Sequence, residues 1–255
     1  MAQEQPSYPI QKKYDLYLLI GQSNMSGRGE IEEEDRIPFD RVFCLNKQLI
    51  WIKAADPIHF DKPNAGVGLA KSFGQEMSEN YPDALIGLIP CAVGGSSIEH
   101  WQPGVLYEQT ISYPWDDMVE RLGFALQYGE LKGILWHQGE GNSTPEKCQE
   151  YSQKLLDLIY RVRAEVDGKE IHFVAGELGK FFVKKNKEEY PDMKNCPAIV
   201  VIKSTKEVIR KVPNAGFVFS NGLESDGGDI HFNSESYREL GVRYANTMIR
   251  IQNNK

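Results

Sequence analysis

Short apolar runs, five or six residues long and bounded by glycine, proline or polar residues, recur along the chain. They are residues 15–20 (DLYLLI), 41–45 (RVFCL), 84–89 (ALIGLI), 133–137 (GILWH), 171–175 (IHFVA), 198–202 (AIVVI) and 216–220 (GFVFS). Runs of this length with little polar alternation predict strands buried on both faces. Helical patterns lie between them, over 67–77 and over 115–128 after Pro114. A third pattern starts at Pro145 and runs through Tyr151, Leu155, Leu158 and Val162. The last begins near Asn233-Ser234 and places Tyr237, Leu240, Tyr244, Met248 and Ile251 on one helix face. The charged stretches 30–35 (EIEEED) and 184–189 (KKNKEE) read as solvated loop surface.

Strands alternating with helices predict an α/β fold, a mostly parallel sheet with helices on both faces. Sites in such folds lie outside the C-terminal ends of the strands. The residues that follow each strand are therefore where chemistry is to be sought.

With 255 residues, 41% of them hydrophobic, the chain can bury a substantial core, which excludes a disordered tail or a disulfide-stapled miniature. Its net charge of −7 makes duplex nucleic acid and anionic membranes poor partners. Cys44, Cys91, Cys148 and Cys196 are scattered without metal-ligand spacing and read as reduced thiols. The first ten residues, MAQEQPSYPI, lack the basic and apolar regions of a signal peptide, and no stretch has the ~20 apolar residues that span a bilayer. The expectation is one domain over 1–255, with 1–13 as an N-terminal extension, in the cytoplasm. A secreted form with its leader removed stays open, and the sequence does not fix the oligomeric state.

Four strand ends carry polar, glycine-rich segments. After the first comes Gly21-Gln-Ser-Asn-Met-Ser-Gly-Arg-Gly29, with Ser23 on a tight turn. It is neither a GxSxG elbow nor a P-loop. After Ile89 comes Pro90-Cys-Ala-Val-Gly-Gly-Ser-Ser97, where Gly94 and Gly95 can bring backbone N–H groups close to a ligand. After Trp136 comes His137-Gln-Gly-Glu-Gly-Asn142, which supplies Gln138, Glu140 and Asn142; His137 reads as structural. Near the C-terminus stands Asp226-Gly-Gly-Asp229-Ile-His231, an acid two residues from a histidine. A loop metal site built from Asp226, Asp229 and His231 is the weaker reading of that segment. Taken together, the four segments supply a hydroxyl nucleophile, N–H donors, amides and a histidine with nearby carboxylates. That is the inventory for acyl transfer.

At these segments the sequence resembles the SGNH hydrolases, and within them the branch of acetylxylan esterases (carbohydrate esterase family 6) and sialate O-acetylesterase-like proteins. The matching strings are GQSNM (21–25), AVGGS (92–96), WHQGE (136–140) and DIH (229–231). The resemblance implies a flavodoxin-like three-layer α/β/α sandwich and hydrolysis of O-acetyl esters on carbohydrate, with no cofactor and no metal. It implies Ser23 as nucleophile and His231 as base, with Asp229, Glu140 or both as the orienting acid. The expected oxyanion donors are Ser23, Gly94 or Gly95, and Gln138 or Asn142. The motif departs from the common D-x-x-H spacing, since position 228 is Gly. Trp101, Trp115 and Tyr113 follow the second block, and Trp101 is the candidate sugar contact. Core packing is the competing reading for these aromatics.

Overall fold

The computed structural model describes residues 14–167 and 170–254. The extension expected over 1–13 lies outside the described residues. Seven strands form one sheet: β1 (Tyr14–Gly21), β2 (Val42–Leu45), β3 (Trp51–Lys53), β4 (Leu85–Pro90), β5 (Gly129–His137), β6 (His172–Gly176) and β7 (Ala215–Val218). Their order is β3-β2-β4-β1-β5-β6-β7. Every pairing is parallel except β2 with β3, which is antiparallel. The short edge strand β3 was not among the predicted strands.

β1 lies near the middle of the sheet and shows why its run is continuously apolar. Leu16, Leu18 and Ile20 join one core, while Tyr17 and Leu19 join the other. The first core takes in α3 (Pro114–Ala125), α4 (Tyr151–Ala164) and α6 (Pro197–Lys211). The second takes in α2 (Leu69–Asn80) and α7 (Ser234–Asn253). Two helical layers on one sheet make the expected sandwich. Among the described residues, no helix is long and apolar enough to cross a membrane.

Three expectations need correction. The run at 198–202 is not a strand but the first half of α6. Ala198, Val201, Ile202, Thr205, Val208 and Ile209 are buried at helical spacing, and Pro197 sits in the first turn. A five-residue window could not show that period. The charged stretch 184–189 belongs to α5 (Lys180–Glu189), whose Phe182 and Asn186 are buried. Within 30–35, Asp35 is only 2% exposed, and Arg238 of α7 donates to it at 2.7 and 3.0 Å.

β1 and β5 lie side by side, with Gly21 opposite His137. A β-carbon on Gly21 would stand 2.1 Å from the His137 carbonyl oxygen, and its φ is +136°. Only glycine lets the chain leave β1 here and turn through Gln22 into α1 (Ser23–Ser26). This local constraint sets Ser23 at the mouth of the sheet.

Candidate active site

Ser23 opens the short helix α1 at the end of β1. Its Oγ lies 3.0 Å from Nε2 of His231. His231 arrives from a loop closed on itself, where the Asp226 N–H donates to the His231 carbonyl and the Asn233 N–H to the Glu224 carbonyl. Asn233 then caps α7 through its side chain, which accepts from the Ser236 N–H. The pair is thus held by the end of the first strand and the start of the last helix. Burial, reinforced by the charge of Arg28 and opposed by Asp226, lowers the His231 pKa below the ordinary imidazole value. The shift favours the neutral ring, the form able to accept a proton.

The two expected orienting acids do not bond the ring. Asp229, its side chain 64% exposed, lies 3.5 Å from the Lys185 ammonium. The short two-residue spacing turns it outward. Glu140 accepts instead from Asn24 Nδ2 at 2.5 Å. That same Nδ2 donates to the Ile230 carbonyl at 2.9 Å, and Tyr237 donates to Asn24 Oδ1 at 2.6 Å. Asn24 therefore ties Glu140 and α7 to the peptide preceding His231. Burial drives the Glu140 carboxyl up to about 7, partly offset by the Asn24 bond, and its Oε2 is sealed from solvent without a partner among the described residues. Sequence reading missed Asn24. Its position beside Ser23 was the available signal.

The donor assignments also change. Gln138 is 2% exposed, and its amide nitrogen donates to Asn142 Oδ1 at 2.8 Å, Gln22 Oε1 at 3.0 Å and the Ser96 carbonyl at 3.3 Å. Its oxygen accepts from Tyr151 at 2.9 Å. Asn142 is fully buried; its oxygen also accepts from the Ile98 N–H, and its nitrogen donates to both Glu99 oxygens at 3.0 Å. Gln138 has both amide hydrogens taken, and Asn142 is fully buried with its nitrogen turned to Glu99. The Gly94 N–H is likewise committed, to Asp61 Oδ2 at 2.7 Å. Asp61 in turn forms a buried 2.6 Å ion pair with Arg28.

Among the described residues, the Gly95 N–H has no acceptor, nor does the Ser23 N–H, the first of α1. Gly95 has φ +87°, and a β-carbon there would meet the Tyr107 hydroxyl at 2.4 Å. Trp101 is fully buried, bonds Ser96 Oγ through its indole N–H and packs edge-on against Trp136, so it cannot stack on a sugar. Trp115 is buried too, and Tyr113 is 43% exposed. His137 is buried, with Nδ1 3.0 Å from the Tyr244 hydroxyl and Nε2 without a partner among the described residues. Among the described residues, no group of three His, Cys, Asp or Glu side chains could hold a metal ion.

The chain can be compared with known proteins on this footing. The family description "Carbohydrate esterase, sialic acid-specific acetylesterase" matches residues 13–250. A protein of Arabidopsis thaliana named as a probable carbohydrate esterase is 26% identical over 253 residues, covering 90% of this chain and 88% of that one. Its X-ray structure aligns at a TM-score of 0.78 and 24% identity, covering 93% of this chain and 98% of that one. A structure described as a novel carbohydrate acetylesterase from Xanthomonas citri aligns at 0.73 and 21% identity, covering 94% of this chain and 57% of that one. These solved structures share the α/β architecture seen here.

Proposed function

The chain belongs to the sialic acid-specific acetylesterase family of carbohydrate esterases, and from that premise we propose that it removes O-acetyl groups from sugars with Ser23 as nucleophile and His231 as base. The observation that carries this reading is the 3.0 Å contact between Ser23 Oγ and His231 Nε2.

In the proposed reaction His231 Nε2 takes the Ser23 proton as Oγ bonds to the acetyl carbon. The carbonyl electron pair moves onto oxygen, where the Ser23 and Gly95 N–H groups meet the charge. Collapse breaks the bond to the sugar oxygen, which leaves with the proton held by His231. Water then gives a proton to the same nitrogen and attacks acetyl-Ser23; the bond to Oγ breaks, Oγ takes the proton back from His231, and acetic acid is released. Asn24, braced by Glu140 and Tyr237, holds the peptide that carries the base. The orientation of the ring thus rests on its backbone rather than on a carboxylate at Nδ1.

Ser23→Ala tests the reading. Hydrolysis of 4-nitrophenyl acetate is expected to fall at least a thousandfold while the fold persists. Wild-type turnover in that variant overturns the assignment. Acetate release from acetylated sialic acids, set against acetylated xylo-oligosaccharides and 4-nitrophenyl octanoate, separates sialate esterase, xylan esterase and general esterase activity.

A further inference from the structure

The donors around Ser23 can be accounted for one by one. The amides of Gln138 and Asn142 are committed to each other and to their neighbours. The two Asn24 hydrogens go to Glu140 and the Ile230 carbonyl. Gly94 bonds Asp61, and Arg28 bonds Asp61, Ser26 and the Gly27 carbonyl. One side-chain amide next to the nucleophile is left over, that of Gln22.

We propose that Gln22 is a catalytic residue whose Nε2 donates to the oxyanion on the acetyl carbonyl, in the role expected of Gln138 or Asn142. The proposal rests on the acetylesterase reading and adds to it a third donor.

Three observations carry it. First, the amide's orientation is fixed. Gln22 Oε1 accepts from Gln138 Nε2 at 3.0 Å and the Gly141 N–H at 3.1 Å, with the Gly139 N–H at 3.5 Å. All three are donors, so the oxygen must face them and the NH2 must face the other way. Second, Gln22 is only 3% exposed, yet among the described residues its NH2 has no acceptor, and it is not sealed from solvent. Buried polar groups are nearly always paired, so an idle donor in a wall calls for a ligand. Third, Gln22 directly precedes Ser23 and caps α1, so its amide is fixed to the same turn as the attacking oxygen.

The lattice behind Gln22 then has a purpose. Tyr151 holds Gln138, Gln138 holds Gln22, and Gln22 presents its N–H groups without needing to reorganise as charge develops. No proton moves to or from Gln22. It binds the oxygen more tightly when that oxygen carries the electron pair than when it is a carbonyl.

Gln22→Glu keeps the acceptor and removes the donor. Gln22→Met removes both without adding charge. In each, kcat/KM for 4-nitrophenyl acetate is expected to fall about 10²–10³-fold. Trifluoroacetone, which adds to Ser23 and carries an oxyanion, should lose affinity in step with that fall. Inhibition by acetate, the ground-state product, should change less than threefold in Gln22→Met. Retention of kcat/KM within threefold in both variants overturns the proposal. So does an equal loss for acetate and trifluoroacetone, the mark of a purely structural residue. A wild-type protein inert towards every acetyl ester would instead overturn the esterase reading beneath it.

Discussion

Two polar clusters meet beneath the ends of β1, β4 and β5, and they follow opposite rules. In the lattice of Gln138, Asn142, Tyr151 and Glu99, the amide groups are paired within the protein. At the corner of Ser23 and Gly95, N–H groups have no acceptor among the described residues. The lattice is rich in the amides one would expect to touch substrate, yet it is scaffold. The corner has less side-chain chemistry, yet it is where a reacting oxygen can be received. Residue type does not separate the two clusters; unfilled hydrogen-bonding capacity does.

Substitution in the lattice should give the largest effect on stability. Asn142→Leu strands the Ile98 N–H and takes a donor from Glu99. A loss of about 3–5 kcal/mol is expected in thermal unfolding. Ser23→Ala at the corner should cost no more than about 1 kcal/mol, since a single partly exposed bond is removed. Similar losses in the two variants would erase the distinction between scaffold and reacting corner.

Between these extremes lies the Asn24–Glu140 brace. Glu140 has its folded pKa raised to about 7 from an ordinary 4.5. Such a group favours the folded state when protonated. Its contribution is full below pH 4.5 and is lost as pH rises through 7. Glu140→Gln keeps an acceptor for Asn24 and removes the buried charge, so the variant should gain about 1–3 kcal/mol at pH 8 relative to pH 4.5. Denaturant titration at the two values checks this. A variant destabilised more at pH 8 than at pH 4.5 would place the Glu140 charge in direct service of the fold. Asn24→Ala, which frees the peptide before His231, should lower kcat about 10–100-fold with KM little changed.

The smallest effect concerns the two loop acids. The acidic limb of kcat/KM should fall below the ordinary imidazole value of about 6.5, because burial and Arg28 disfavour the charged His231 ring. Asp226 opposes them, so Asp226→Asn should move that limb further down. Asp229→Asn should leave it in place. A large fall in kcat on removing Asp229 would restore it as the orienting acid.

Much of this arrangement was legible in the sequence, and the failures have physical causes. Six of the seven apolar runs are strands because continuous burial between helical layers leaves a one-dimensional mark. The seventh, at 198–202, is too short to separate a buried strand from the buried face of a helix. The meeting of Ser23 with His231 was legible because the topology carries the polar segments to one edge. The roles of Gln138, Asn142, Asp229 and Trp101 were not. Whether an amide, an acid or an indole meets substrate depends on which neighbours have already taken its hydrogen bonds, and that is a three-dimensional count. Gln22 and Asn24 escaped for the same reason, although they flank the nucleophile.

The account stands on a covalent bond that should form at one oxygen. Rapid acid quenching during turnover of 4-nitrophenyl acetate, followed by peptide mass spectrometry, reads it directly. The account predicts an acetyl group on the peptide containing Ser23, accumulating in wild type and missing in Ser23→Ala. Acetylation elsewhere, or full activity with residue 23 never modified, would contradict it.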